Sequence, residues 1–88
     1  MKKILLIWDV KSGGSPATSF YRALRGYDYR SKSGKSHSNG VLDELPEGVW
    51  EFVSRSAIIV ERRYTERVEQ VFRQFSGHVI WRRFEVRG

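Results

Sequence analysis

The chain has 88 residues and no cysteine, and its sixteen lysines and arginines against ten acidic residues give a net charge of +6. This length corresponds to one domain, residues 1–88, that can bury roughly 60–65% of its unfolded surface without a metal or a disulfide. The lack of cysteine excludes a disulfide framework and a thiolate metal site, and it is compatible with the cytoplasmic location that we predict. The basic balance favours nucleic acid or another anionic surface as the partner. No apolar run approaches the length of a bilayer span, so we expect no membrane partner.

The first half of the chain predicts a strand followed by a helix. Residues 4–8 are apolar at every position, which is typical of a central strand that is covered on both faces or flanked on both sides. Pro16 suits the first turn of a helix with Ser15 as its N-cap, and Gly26 suits the position after its end. We therefore expect a helix from Pro16 to about Leu24.

The second half predicts a strand, a helix and a final strand. Residues 56–60 are compact and rich in β-branched side chains, as in a second central strand. From Glu61 to Phe75 the apolar residues follow helical spacing along one continuous face, made by Tyr64, Val68, Val71, Phe72 and Phe75. Residues 78–87 alternate as a strand, with Ile80, Phe84 and Val86 on one side and Trp81, Arg83, Glu85 and Arg87 on the other.

This element order predicts an α+β fold of the ferredoxin-like type. In that architecture a split βαβ repeat (βαββαβ) forms a two-layer sandwich, with two helices on one face of an antiparallel sheet. The strands at 4–8 and 56–60 then take the two central positions. A long polar loop follows the first helix.

The second strand of the sheet has two interpretations. In the first, residues 41–45 and a turn at 46–48 form a hairpin into one long strand, residues 49–60, which places Trp50, Phe52, Ile58 and Val60 on one side. In the second, residues 45–53 form a short helix, and the second strand comes from residues 27–33. We favour the hairpin.

Residues 27–40 contain no aliphatic side chain, so they cannot form core. Three bases against one acid occur here, together with two tyrosines and several serines. We predict a flexible, basic, polar segment that orders on a polyanion, with cations on phosphates and rings on bases. The residues assigned to nucleic-acid binding here are Tyr27, Tyr29, Arg30, Lys32 and Lys35. His37 is interpreted as a solvated surface residue.

A second group of candidate nucleic-acid contacts lies on the last predicted strand, and it consists of Trp81, Arg82, Arg83 and Arg87. If Trp81, Arg83 and Arg87 lie on the sheet face away from the helices, they form a stacking surface with guanidinium neighbours. In the alternative interpretation Trp81 is a dimer contact, and the arginines lie at the rim of that contact.

Asp9 is the candidate catalytic and metal-binding residue. It stands at the carboxyl end of the first predicted strand, before a glycine-rich turn, where its carboxylate can present a hard oxygen ligand to Mg²⁺ or Mn²⁺. One carboxylate makes a poor metal site. In a symmetric dimer two copies of Asp9 could face each other across the axis and share an ion.

The strand that ends Trp8-Asp9-Val10, followed by a helix in a ferredoxin-like order, resembles the CRISPR-associated protein 2 family. In that family the matching aspartate lies near a dimer axis, and it is implicated in metal-dependent nuclease activity or in duplex-DNA binding during spacer integration. The resemblance therefore implies such a role for Asp9. The chain departs from the family in having Ser15-Pro-Ala-Thr18 at the start of the first helix, and in the long polar segment before the second strand.

We therefore predict a small basic protein that binds DNA or RNA through phosphates, by way of a mobile Lys/Arg/Tyr segment, and that forms a homodimer. No cofactor is expected for this function. The first alternative is a nuclease that uses Asp9 with Mg²⁺ or Mn²⁺ at the dimer axis. The second is a non-enzymatic protein–protein interaction module, whose contact surface would be the acidic stretch 43–51 with Trp50.

Overall fold

The computed structural model describes residues 2–11 and 13–86. Within these residues the chain forms the strands β1 (Lys3–Val10), β2 (Tyr27–Ser31), β3 (Gly34–Ser38), β4 (Trp50–Ser54), β5 (Ala57–Glu61) and β6 (Val79–Val86). Its α-helices are α1 (Ser15–Arg25) and α2 (Thr65–Gln74), and single 3₁₀ turns occur at Val41–Glu44 and Arg62–Tyr64. The fold is mixed α+β, as the sequence predicts. Neither α-helix in the described residues is long and apolar enough to cross a membrane.

Four strands form the main sheet in the order β4-β5-β1-β6, and all neighbours are antiparallel. The two apolar strands, β1 and β5, hold the central positions, as predicted. Leu6 of β1 lies opposite Ile58 on one side and opposite Arg83 on the other. Because residues directly opposite each other in a ladder point to the same face, and side chains alternate along a strand, each register assigns its residues to one of two faces.

Both α-helices cover the sheet face that carries Ile4, Leu6 and Trp8. Phe20 of α1 and Phe72 of α2 are fully buried against these residues. Full burial of one such side chain contributes about 1.5–3 kcal/mol. The opposite face, which we call the open face, is covered by no helix within the described residues. β1 is therefore flanked on both sides but covered on one face only.

The second strand of the main sheet is β4, and neither interpretation of this region is right in full. The long strand predicted over residues 49–60 turns back at residues 55–56, so it forms the hairpin β4–β5. The polar triplet Ser54-Arg55-Ser56 interrupts the apolar alternation, and this triplet makes the turn. Residues 41–45 contain a 3₁₀ turn and no strand.

The predicted sidedness of this hairpin is nevertheless correct. Trp50 pairs with Val60 and Phe52 pairs with Ile58, so all four share one face. That face is the helix-covered one, since Ile58 also lies opposite Leu6.

The first helix is one residue longer at each end than predicted, Ser15–Arg25, and it has a different N-cap. Gly14, at φ 75°, is the N-cap, and the predicted cap Ser15 is already the first helical residue. Gly26, at φ 77°, ends the helix, and its N–H donates to the carbonyl oxygen of Arg22 at 2.9 Å. Glycine adopts such positive φ values without the steric cost of a Cβ.

A second, two-stranded sheet stands where we predict a long polar loop. β2 and β3 pair antiparallel, with Tyr27 opposite Ser38 and Ser31 opposite Gly34. The turn between them is Lys32-Ser33, and Gly34 follows at φ 114°. Alternation of tyrosine with polar residues is a strand pattern, which the lack of aliphatic side chains concealed.

Candidate nucleic-acid interface

The β2–β3 hairpin, residues 27–38, projects from the body of the protein, and we call it the arm. Every residue of β2 is exposed. In β3 only Ser36 and Ser38 are partly buried. The radius of gyration is 13.8 Å, whereas a compact chain of this length has a value of about 12 Å. The excess is what a projecting arm produces.

The arm has two chemically distinct faces. The registers Tyr27–Ser38 and Tyr29–Ser36 place both tyrosines with hydroxyl groups on one face. The registers Asp28–His37 and Arg30–Lys35 place the charged groups on the other. The five predicted contacts in this segment are therefore close in space but do not form one patch, because neighbours along a strand point to opposite sides.

The tyrosine face is extended by a residue of α1. The guanidinium carbon of Arg22 lies 4.4 Å from the centroid of the Tyr27 ring, within cation–π distance. The Tyr27 and Tyr29 rings are 6.0 Å apart, and 38% and 46% of these residues' surface is accessible. A cation beside two accessible rings offers both a phosphate contact and a stacking surface.

The charged face concentrates positive charge near the tip of the arm. Arg30 and Lys35 are directly opposite each other across the two strands, and Lys32 is in the adjoining turn. Like charges directly opposite in an antiparallel ladder are destabilising. A bound phosphate would remove that repulsion, so the pair costs stability in the free protein and favours an anionic ligand.

His37 joins the arm to the body through two carboxylates. Its Nδ1 lies 2.7 Å from Oδ1 of Asp28 on β2, and its Nε2 lies 2.8 Å from Oδ2 of Asp43 in the 3₁₀ turn Val41–Glu44. Asp43 also accepts a hydrogen bond from the N–H of Gly40 at 2.9 Å. His37 is a surface residue, as predicted, but both of its ring nitrogens are also bonded to carboxylates.

Both ring nitrogens of His37 face acceptor oxygens, so both bonds form only when the ring is the doubly protonated imidazolium. The bond to Asp43, and then the bond to Asp28, raise the pKa of His37 above its usual 6.5. The bond from His37, with the Gly40 N–H, lowers the pKa of Asp43 below its usual 3.8. We call these three side chains the clamp: with its ring protonated, His37 links Asp28 to Asp43 at the root of the arm, where the arm joins the body.

This clamp has the wrong geometry for a metal site. The two ring nitrogens point in diverging directions, so they cannot share one ion. Each N···O separation is a hydrogen-bond length, with no space for a cation between the two atoms. Across the described residues, no three His, Asp or Glu side chains converge on a common point.

Two glycines close the root of the arm. A Cβ on Gly26 would overlap the carbonyl oxygen of Ser38 and the carboxylate of Asp43. A Cβ on Gly40 would overlap the backbone of Gly26 and of Leu24. The arm therefore leaves and rejoins the body through a close backbone contact that only glycine permits.

The second predicted group of contacts lies on the wrong face of the sheet for a stacking surface. The ring of Trp81 stacks on Phe72 of α2 with centroids 5.2 Å apart. Arg83 points to the same side, where its guanidinium lies 3.4 Å from the buried carboxylate of Glu69. Both side chains thus face the helices, because packing on α2 and the charge of Glu69 hold them there. Arg82 is on the open face, opposite Ile7, and Arg87 lies outside the described residues.

Asp9 is exposed on the open face, opposite Ile80 of β6. No ion pair involves it among the described residues, and no second carboxylate joins it in a potential metal site there. One carboxylate does not fit a site for Mg²⁺, which needs further oxygen ligands.

Several residues of the acidic stretch 43–51 make contacts within the protein. Glu44 pairs with Arg67 of α2 at 2.8 Å, and Asp43 belongs to the clamp. The indole N–H of the half-buried Trp50 donates to the carbonyl oxygen of Leu42 at 3.2 Å. Asp43, Glu44, Glu47 and Glu51 are nevertheless exposed, and the contact surface expected over this stretch with Trp50 stays a prediction.

Sequence reasoning missed Arg22 and the clamp. Arg22 comes five positions before Tyr27, but only the turn from α1 into the arm brings the two together. Gly26 and Gly40, which flank the polar segment symmetrically, were the one available signal of a closed hairpin.

No protein-family model, no curated protein and no solved structure matches this chain. The resemblance to the CRISPR-associated protein 2 family stays a prediction from the sequence.

Proposed function

We propose that this protein binds nucleic acid through the arm, chiefly by phosphate contacts from Arg30, Lys32 and Lys35. The observation that supports this most is the unrelieved like-charged pair Arg30–Lys35 on an exposed two-stranded ribbon. The arm has three bases and one acid, and that acid, Asp28, is bonded to His37. The positive tip is therefore not neutralised from within the arm.

The shape of the arm supports the same proposal. A two-stranded ribbon is narrow enough to enter the major groove of duplex DNA, which is about 12 Å wide. In a groove both faces of the ribbon meet the ligand, so the separation of tyrosines from cations is no obstacle. On a single strand, Tyr27 and Tyr29 would supply stacking surfaces, and Arg22 would contact a neighbouring phosphate.

The proposal includes a ferredoxin-like main sheet, a homodimer and the predicted cytoplasmic location. The strand order β4-β5-β1-β6 supports the ferredoxin-like sheet. When the two strands of the arm are left out, this is the order in which the four strands of a split βαβ repeat lie in their sheet. Support for the homodimer is the open face, which carries apolar side chains.

A binding titration with a salt series tests the proposal. Labelled single- and double-stranded DNA and RNA are titrated with the wild-type chain and with Lys32→Ala/Lys35→Ala. For duplex, three phosphate contacts predict a slope of log K against log salt of about −2.7. The double variant should bind all sequences more weakly, by about the same factor. Its salt slope for duplex should fall to about one third of the wild-type value.

The matched control is Lys11→Ala/Arg55→Ala, which removes the same charge. Lys11 and Arg55 are exposed, and both lie at the end of the sheet where β1 ends and β5 begins. Equal loss in both variants would indicate an effect of net charge alone, and would contradict the arm as the site. The same samples with Mg²⁺ or EDTA, run on a denaturing gel, test the nuclease alternative: cleavage that Asp9→Ala abolishes would support it.

A further inference from the structure

The open face of the main sheet is an apolar surface bordered by charges. Ile7 of β1 and Ile80 and Phe84 of β6 are 41%, 49% and 48% accessible. Leu5 and Ile59, opposite each other on β1 and β5, are half-buried between them. Large side chains gathered on one face differ from the singly scattered apolar residues of an ordinary surface, and such a patch marks an interaction site.

The charges on this face follow a definite order along β1. The residues of β1 that point to the open face are, in sequence, Lys3, Leu5, Ile7 and Asp9. The row is positive, apolar, apolar and negative. When the same row of a second copy packs against it in the opposite direction, each positive end faces a negative end, and apolar residues face each other in the middle.

We propose that a second copy of this chain covers the open face, with the two β1 strands antiparallel, so that Lys3 of each copy faces Asp9 of the other. This deepens the homodimer part of the proposed function and does not depend on nucleic-acid binding. A two-fold axis that lies between the two copies, parallel to the sheets and perpendicular to β1, at the level midway between Leu5 and Ile7, produces this arrangement.

The neighbouring strand β6 fits the same axis. Phe84 stands in the row of Leu5, and Arg82 stands in the row of Ile7. The rotation brings these two rows together, so each Phe84 ring meets an arginine of the other copy, a favourable cation–π pairing. Val86, in the row of Lys3, meets Ile80, in the row of Asp9.

The other face-to-face arrangement is electrostatically worse. A two-fold axis parallel to β1 keeps the strands parallel, so Lys3 meets Lys3 and Asp9 meets Asp9. Two like-charged pairs then replace two opposite-charged pairs in a partly desolvated contact. That arrangement is the one a metal shared by two Asp9 carboxylates would need, so the charge order of this chain argues against it.

The available area limits the strength of the dimer. Two strands of eight residues and two of five, at about 3.3 Å per residue and about 4.8 Å between strands, give roughly 400 Å² of flat surface per copy. Corrugation by side chains increases this value, and the total lies near the roughly 1,000 Å² that a specific interface needs. The dimer should therefore dissociate on dilution.

Molar mass across a dilution series, by analytical ultracentrifugation of the full chain, tests the interface. The wild type should dimerise reversibly, and Ile7→Glu should weaken the dimer on the order of 100-fold, because each copy would bury a carboxylate against Leu5 of the other without a hydrogen-bond partner. The control is Gln70→Glu, which adds the same charge at an exposed position of α2. Circular dichroism shows that each variant is folded.

Charge exchange tests the direction of packing. Lys3→Asp alone and Asp9→Lys alone should each weaken the dimer on the order of tenfold at low salt, and the combined variant should recover wild-type affinity. A monomeric wild type at all concentrations would overturn the homodimer itself. A dimer that tolerates Ile7→Glu would place the interface elsewhere. A dimer that Asp9→Asn strengthens would establish the parallel arrangement, because the neutral side chain removes the repulsion between the two Asp9 carboxylates. None of these results depends on whether the arm binds nucleic acid.

Discussion

The imidazole of His37 lies 2.8 Å from the carboxylate of Asp43, and this bond ties the exposed arm to the 3₁₀ turn that packs between the helices. The second nitrogen of the ring bonds Asp28 within the arm. One titratable side chain thus connects the proposed ligand-binding element to the body.

The first prediction concerns pH. The pKa of His37 is raised above 6.5, so its contribution to stability is complete below that value and is lost as the pH rises through the folded pKa. The pKa of Asp43 is lowered below 3.8, so its contribution is lost only as the pH falls through that lower folded pKa. We expect the clamp to be strongest between about pH 4 and 6.5.

Nuclear magnetic resonance titration of the His37 ring measures this directly. The folded pKa should exceed 6.5, and Asp43→Asn should bring it down, because the substitution replaces the carboxylate that has the largest effect on the His37 pKa with an uncharged, weaker acceptor. Arm amide resonances should broaden as the ring deprotonates. An unchanged His37 pKa in Asp43→Asn would show that the bond does not form in solution.

The second prediction concerns the root of the arm. Gly40→Ala should destabilise the protein by about 1–3 kcal/mol, because its Cβ would overlap the backbone of Gly26 and Leu24. Gly77→Ala is the matched control, since a Cβ there meets no atom within 4 Å. Chemical denaturation of both variants gives the difference. Equal stability of the two would mean that the arm root has more space than the close contact implies.

The third prediction separates two neighbouring arginines. Arg83 contacts Glu69, whose residue surface is only 3% accessible, whereas Arg82 lies on the open face. Arg83→Ala should cost about 1–3 kcal/mol, because it leaves a nearly buried carboxylate with only the longer contact to Arg73. Arg82→Ala should change the stability of the monomer by less than about 0.5 kcal/mol. A thermal unfolding comparison in dilute solution, where the monomer dominates, decides between them.

The fourth prediction concerns the tyrosine face. Tyr29→Ala should weaken single-strand binding by about 1–3 kcal/mol, the usual value of one stacked base, and should leave the salt slope unchanged. Tyr29→Phe keeps the ring and should bind almost as well as the wild type. If the alanine variant bound single strands normally, stacking on this face would be excluded.

The central strands and α2 could be predicted because their signals are local. The unbroken apolar run of β1 and the helical spacing of Val68, Val71 and Phe72 each require only neighbouring residues. The arm could not be predicted in this way, since its strands contain no apolar alternation and depend on cross-strand bonding and on two distant glycines.

For the candidate site, too, the features with a local sequence signal could be predicted, and those that depend on distant residues could not. The residue types in the arm indicated an anionic ligand, whereas the sidedness of Trp81 and Arg83 depended on a partner in another element. Alternation along β6 predicts two sides correctly, but it does not say which side the helices cover. Glu69 and Phe72 on α2 decide that, and their positions relative to β6 are a tertiary property.

The most direct test of the arm as a nucleic-acid site is Arg30→Glu, measured for both stability and binding. The substitution replaces a like-charged pair with an opposite-charged pair opposite Lys35, so the free protein should become slightly more stable, by about 0.2–1 kcal/mol. Duplex binding should weaken strongly, with a salt slope smaller by about 0.9 or more. Arg55→Glu, the same change in the turn between β4 and β5 and outside the arm, should weaken binding much less. Binding by Arg30→Glu equal to that of Arg55→Glu, with the same salt slope, would contradict the account.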